Sequence, residues 1–228
     1  MNTPAFTPEI MTPLARYRSP REQELFTYLG ATGTRISEML GVEIDKHISD
    51  DFRTITIAQQ IRNGKVVPWL KTDAAYRQVD LDIAVAGRLK KYVGQRTSGF
   101  LFQTRTGKPL DTRNIYFHLH RSLKELGFVN SLTGNHKAGN HAFRRFRNTW
   151  LRNRTVCPEG LRKFWLGHAD EDMGDLYDKI CEDVAFRLTM AEQCGHGFDL
   201  PDLVPTVPTT GHYDAAEDEV HVAESTEQ

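Results

Sequence analysis

Cysteine is scarce: the 228-residue chain holds three, Cys157, Cys181 and Cys194. They are too few and too widely spaced for a zinc box or a disulfide framework, so cysteine chemistry is not expected and a reducing compartment is. No run of eighteen apolar residues occurs, which leaves no candidate membrane span. The start, MNTPAFTPEIMTPLARYRSPREQ, lacks the charged and apolar regions of a secretory signal. These absences point to a soluble cytoplasmic protein with no membrane partner. Basic charge is missing from one place only, residues 199–228, which hold eight of the 30 acidic residues and no Lys or Arg. Residues 1–198 therefore keep all 29 Lys and Arg against the other 22 acids, a surplus of seven that suits a polyanionic partner. Ordinary solvated surfaces carry such a surplus too, so charge alone does not establish nucleic-acid binding.

With 39% hydrophobic and 10% aromatic residues the chain can bury one good core. Residues 1–19 are Pro-rich and read as irregular. PREQELFTYLGATGTRISEMLGV then shows helical spacing interrupted by Gly30 and Gly33, which predicts two helices with a turn and Arg35 at the start of the second. From Arg53 the pattern alternates: FRTITIA, KVVPWLK and YRQVDLD, separated by Asn63-Gly64 and Thr72-Asp73, predict a small three-stranded antiparallel sheet. Helical periodicity returns in roughly 82–93, 111–127, 141–154, 158–166, 170–179 and 181–194. The expected fold is mainly α with one small sheet, a single domain over 20–197. The Pro-, Thr- and acid-rich stretch 198–228 is expected to be disordered.

Four stretches carry chemistry: ATGTRISEML with Arg35, LKTDAAYRQVDL with Lys71, HAFRRFRNTWL with His141 and Arg144, and WLGHADEDMGDLY with His168 and Tyr177. Taken singly these residues have ordinary readings. A tyrosine is usually a half-buried helix aromatic, a histidine a surface or capping group, an arginine a salt-bridge partner. Together and in order they resemble the tyrosine recombinase (phage integrase) family over roughly residues 20–194. The family pattern is an Arg in a T-G-x-R-x-S-E-like helix start, a Lys in a hairpin, H-x-x-R opening a helix, and L-G-H followed nine residues later by Tyr. Lys65 lies in the same sheet region as Lys71, and the adjoining K-T and RQVDL favour Lys71.

The resemblance implies a catalytic domain for DNA recombination and integration, of the kind that mobile elements carry. Its partners would be double-stranded DNA and further copies of itself, as a tetramer on paired sites at the nucleoid. The residue types suit that chemistry, because displacement at a phosphodiester concentrates negative charge on two non-bridging oxygens. Arg35 and Arg144 offer planar donor forks to them, and His168 a third donor. Tyr177 attacks after His141, or a water it orders, takes its proton; Lys71 protonates the leaving 5′ oxygen. The 3′-phosphotyrosine conserves the bond's energy, so neither ATP, metal nor other cofactor is implied. Arg145, Arg147, Arg152, Arg154, Arg162 and Lys163 form either a phosphate-tracking cluster or a solvated helix face. Glu38 is expected to orient a nearby cation or cap its helix, and Trp165-Leu166 to pack in the core.

The sequence departs from the family in two places. An N-terminal helical domain of roughly a hundred residues, which usually clamps the DNA, has no room before Arg35, so weakened DNA affinity is expected. Gly174 stands where a Thr-like residue is frequent. The helix expected over 181–194 is free either to dock on a neighbouring protomer or to pack in cis. Two other functions stay open: a type IB topoisomerase, which shares the nucleophile and phosphate clamp, and a DNA-binding remnant without recombination.

Overall fold

Ser19 opens the first long helix. Its hydroxyl accepts the Glu22 backbone N–H at 3.4 Å, while the Glu22 carboxylate accepts the Ser19 N–H at 3.2 Å, a reciprocal cap that satisfies two otherwise orphaned donors. The structure, a computed structural model, describes residues 5–17, 19–70, 72–128, 138–168, 179 and 182–200. Within it α1 is Pro8–Leu14, α2 Pro20–Thr32, α3 Ile36–Met39 and α4 Ile44–His47. Four short strands follow: β1 Thr54–Ile57, β2 Gln60–Arg62, β3 Lys65–Val67 and β4 Arg77–Asp80. The remaining helices are α5 Ile83–Val93, α6 Thr112–Glu125, α7 His141–Asn153, α8 Glu159–Leu166 and α9 Val184–Cys194. The mainly α character is as the periodicity predicts, and α5 to α8 fall within a residue or two of their predicted bounds. The predicted helix over 170–179 falls, apart from Lys179, outside the described residues.

The N-terminal segment is not irregular as expected. Pro8 sits in the first turn of α1, where its missing N–H costs nothing, and Met11 and Leu14 are fully buried. Gly30 does not break α2 either. It is the seat on which α1 rests, since a Cβ there would lie 2.2 Å from the Met11 methyl and 3.2 Å from the Phe198 ring. The core thus runs from Phe6 to Phe198, wider than the 20–197 span, and is centred on Phe143, which stacks on Phe26 at 5.6 Å and meets Phe6 edge-on at 4.8 Å.

The sheet is split. β1 pairs antiparallel with β4, Thr54 opposite Asp80, and β2 pairs separately with β3 through a turn at Asn63-Gly64. The single three-stranded sheet does not form because the Gln59 amide donates to the Gly41 carbonyl and to Glu43, each at 2.8 Å, and draws the chain off β1 before β2 begins. Pro68, which has no N–H to donate, follows the end of β3.

The C-terminal helix packs in cis rather than standing free for a neighbour. Arg187 of α9 is 1% exposed and donates to Asp80 Oδ2 at 2.9 Å, and the same oxygen accepts the Trp165 indole N–H at 2.8 Å. Thr54 donates to the other carboxylate oxygen at 2.9 Å. Asp80 therefore knots β1, β4, α8 and α9 together, with every hydrogen bond in the dry interior. Asp80→Ala is expected to destabilise the protein by about 3–5 kcal/mol, because the buried Arg187 loses its carboxylate partner and the Gln78 amide that it also meets carries no charge to replace it. Adding Arg187→Met should recover part of that loss, which a double-mutant cycle in urea would measure; simple additivity would contradict the coupling.

Candidate active site

α3 brings the first arginine into place. Arg35 precedes the helix; its backbone N–H donates to Glu38 Oε2 at 3.0 Å and its guanidinium to Oε1 at 2.6 Å. Glu38 is 2% exposed, and its second partner is the buried Arg77, 2.8 Å from Oε2. Burial alone would raise the Glu38 carboxyl, but the Arg77 charge and the hydrogen bonds from Arg77 and Arg35 outweigh it and hold it below the usual carboxylate range. Arg77 also donates to the Trp165 and Ala75 carbonyls, both at 2.8 Å. One side chain thus ties Arg35, by way of Glu38, to the loop before β4 and to the end of α8.

Arg144 lies one turn into α7, 8% exposed. It donates to the Gly33 carbonyl at 3.0 Å and to the Leu166 carbonyl. Both acceptors sit at helix C-termini, where the backbone's negative end suits a cation. α2 and α8 each end on a left-handed glycine, Gly33 at φ 67° and Gly167 at φ 63°. A Cβ at Gly33 would lie 2.8 Å from Leu166 and 2.9 Å from Arg147; at Gly167 it would lie 3.0 Å from the Arg77 guanidinium. Burial, then the charges of Arg35 and Arg77, lower the Arg144 pKa to about 10, so it stays protonated at neutral pH.

The two histidines join this group. His141 opens α7 and His168 follows Gly167, both exposed. Partial burial, then the charge of Arg144 and further arginines including Arg35, lowers both imidazoles from their ordinary value. Arg35, His141 and Arg144 line an open cleft of about 580 Å³, whose other walls include Arg62 of β2 and Arg113 and Tyr116 of α6. Lys71 and Tyr177 lie outside the described residues.

The basic cluster does not form one face. Arg147 is 4% exposed and donates to the Gly195 carbonyl at 2.5 Å, so its place is in the core and not on a phosphate-tracking surface. Arg162 bonds Asn148 at 2.6 Å and lies 3.5 Å from Glu159, which Lys163 approaches at 3.0 Å. Arg145 is half-buried, and Arg152 and Arg154 are exposed, Arg154 beside Glu9 of α1. Arg77 was missed from the sequence. Its signal is parity: it shares a strand face with Val79 and then Leu81, an inward register that calls for an apolar residue.

Because His141 and His168 hold protons less readily folded than unfolded, the unfolded chain binds more of them in acid. Their contribution to stability is complete above the unfolded value, near pH 6.5, and is lost as the pH falls through it toward the folded values. Thermal melts between about pH 5 and 8 should show this acid limb flattened in His141→Gln with His168→Gln. An unchanged limb would mean that other groups set it.

A sequence profile of the phage integrase family matches residues 7–181. No characterised protein matches the chain over its sequence. Among solved structures, the fold is similar to that of the Tn1549 transposon integrase in complex with a circular intermediate DNA, with TM-score 0.61 and 19% identity over 75% of this chain and 59% of that one. The same integrase in complex with transposon right end DNA gives TM-score 0.60 at 20% identity, over 75% and 59%. XerA recombinase gives 0.53 at 20% identity, over 75% of this chain and 57% of its own. The chain thus spans about 59% of the integrase it resembles. With the profile covering most of its length, the mainly α fold shared with these recombinases, and Arg35, His141 and Arg144 lining one cleft, the chain belongs to the phage integrase family, the tyrosine recombinases.

Proposed function

We propose that this chain is the DNA-cutting and rejoining part of a site-specific recombinase, working through a 3′-phosphotyrosine on Tyr177. The observation that carries the reading is the charge balance at the cleft. Arg35 and Arg77 share one carboxylate, Glu38, and Arg144 beside them is held by two peptide carbonyls and, among the described residues, by no carboxylate. Such a site is short of negative charge, and a phosphodiester supplies it.

In this scheme Arg35 and Arg144 take the non-bridging oxygens, whose charge grows as the phosphorus becomes pentavalent. A neutral imidazole keeps one N–H to donate and one nitrogen to accept. With its pKa lowered, His141 is suited to receive the Tyr177 proton directly or through a water, and His168 to donate to the phosphate. Lys71 protonates the departing 5′ oxygen. The phosphotyrosyl ester holds the energy of the broken bond, and the 5′ hydroxyl of either strand reverses the step without ATP.

The DNA named with the Tn1549 integrase supports duplex DNA as the substrate. A homo-tetramer on two paired sites, in the cytoplasm at the nucleoid, belongs to the same proposal. No helix among the described residues is long and apolar enough to cross a membrane.

Incubation with supercoiled plasmid at low salt, where phosphate contacts are least screened, followed by a detergent quench, should yield DNA-linked protein and relaxed topoisomers. Tyr177→Phe is expected to abolish both, and Arg144→Lys to slow adduct formation by about 10²–10³-fold. Identical behaviour of wild type and Tyr177→Phe would remove Tyr177 as the nucleophile.

A further inference from the structure

The two signs of charge are kept apart in this chain. Among the described residues that line the cleft, four are arginines, Arg35, Arg62, Arg113 and Arg144, one is His141, and none is acidic. Glu38 engages Arg35, while Asp111 approaches Arg113 only to 3.5 Å. Arg62 stands directly opposite Lys65 across the β2–β3 hairpin, and both side chains are exposed. Like charges so placed repel each other, and among the described residues no carboxylate is bonded to either.

The opposite charge belongs to the same chain. Residues 201–228, outside the described part, hold seven acidic residues and no Lys or Arg, and six of the seven fall between 214 and 227. In extended form the run Glu217-Asp218-Glu219 would carry one charge about every 3.3 Å, close to the ~3.4 Å of axis per phosphate on a DNA strand. The described chain also ends within reach of the cleft. The Asp199 N–H donates to the Thr12 hydroxyl at 3.1 Å. Phe198 packs over Gly30, one helical turn before Gly33, whose carbonyl holds Arg144. From there the remaining 28 residues span up to about 90 Å, roughly twice the breadth of a domain of this size.

We propose that the acidic segment 214–227 docks in the arginine-lined cleft of its own chain and must leave before DNA enters. The docking needs only the cations of the cleft; the competition with DNA rests on the function proposed above. A tether of this kind holds the segment at an effective concentration on the order of 1 mM. A contact as weak as ~0.1 mM then keeps the cleft roughly 90% occupied and lowers the affinity for DNA about tenfold. Because the contact is ionic and solvent-accessible, salt weakens it.

The full chain would be compared at low salt with a variant carrying Asp214→Asn, Glu217→Gln, Asp218→Asn, Glu219→Gln, Glu224→Gln and Glu227→Gln. A carbodiimide, which joins a carboxylate to an amine without a spacer, would be applied to dilute protein free of DNA and the products mapped by mass spectrometry. The expected product is a link within one chain from 214–227 to Lys65, absent from the variant and suppressed at about 0.5 M salt. Links only to Lys46, Lys90, Lys91 or Lys124, links only between two chains, or no link would each overturn the proposal. In a second measurement the variant should bind a fluorescent duplex about tenfold more tightly than the parent, and a synthetic peptide of residues 214–227 should displace that duplex from it. Linking to Lys65 in a protein that binds no DNA would uphold the docking and remove DNA as the cleft's substrate. Equal DNA binding by parent and variant, with no such link, would do the reverse.

Discussion

A single buried carboxylate holds this fold and its cleft in register. Glu38 is shared between Arg35, which reaches the cleft, and Arg77, which does not. Taking such a charge out of water is costly, and it is tolerable only because both oxygens are occupied by guanidinium donors. Arg77 in turn spends its other donors on the carbonyls of Ala75 and Trp165. Neither the helix start at Arg35, nor the loop before β4, nor the end of α8 can therefore move alone. A fixed distance between Arg35 and the α8 terminus is what the proposed phosphate chemistry would require of its donors.

Arg144 is restrained differently. Its partners are peptide carbonyls, which orient the guanidinium without neutralising it. Arg35 shares its charge with a carboxylate, whereas Arg144 keeps the whole of its own, in a pocket where low dielectric magnifies it. The imidazoles of His141 and His168 are lowered first by their own partial burial and then by that excess of arginine charge. A phosphate bound as proposed would oppose the same arginine charges and so relieve both histidines at once.

The helices that bury one face were legible because their spacing is set by the core: α5 to α8 are amphipathic and begin or end near where their periodicity does. Arg35, His141, Arg144 and His168 were legible through their motifs, and the fold brings them together. What sequence could not show was long-range. α1 was hidden by its prolines, which are a helix-starting device when one of them falls in the first turn. The split of the sheet depends on where the Gln59 amide finds its partners, near residues 41 and 43. Arg147 looked like its charged neighbours, yet the turn of α7 points it at the Gly195 carbonyl in the core. Cis packing of α9 rests on Asp80, which alternation alone would have placed facing solvent.

The two glycines that end α2 and α8 have a consequence for how this protein can vary. Neither carries a functional group, yet together they present the carbonyls that aim Arg144, and each is hemmed in by the side chains around it. The tolerance of the cleft to change is therefore smallest at positions that a survey of charged residues would pass over. A chain could keep every arginine and histidine and still lose the arrangement through one added methyl group. The geometry of the site is inherited through residues that take no part in its chemistry.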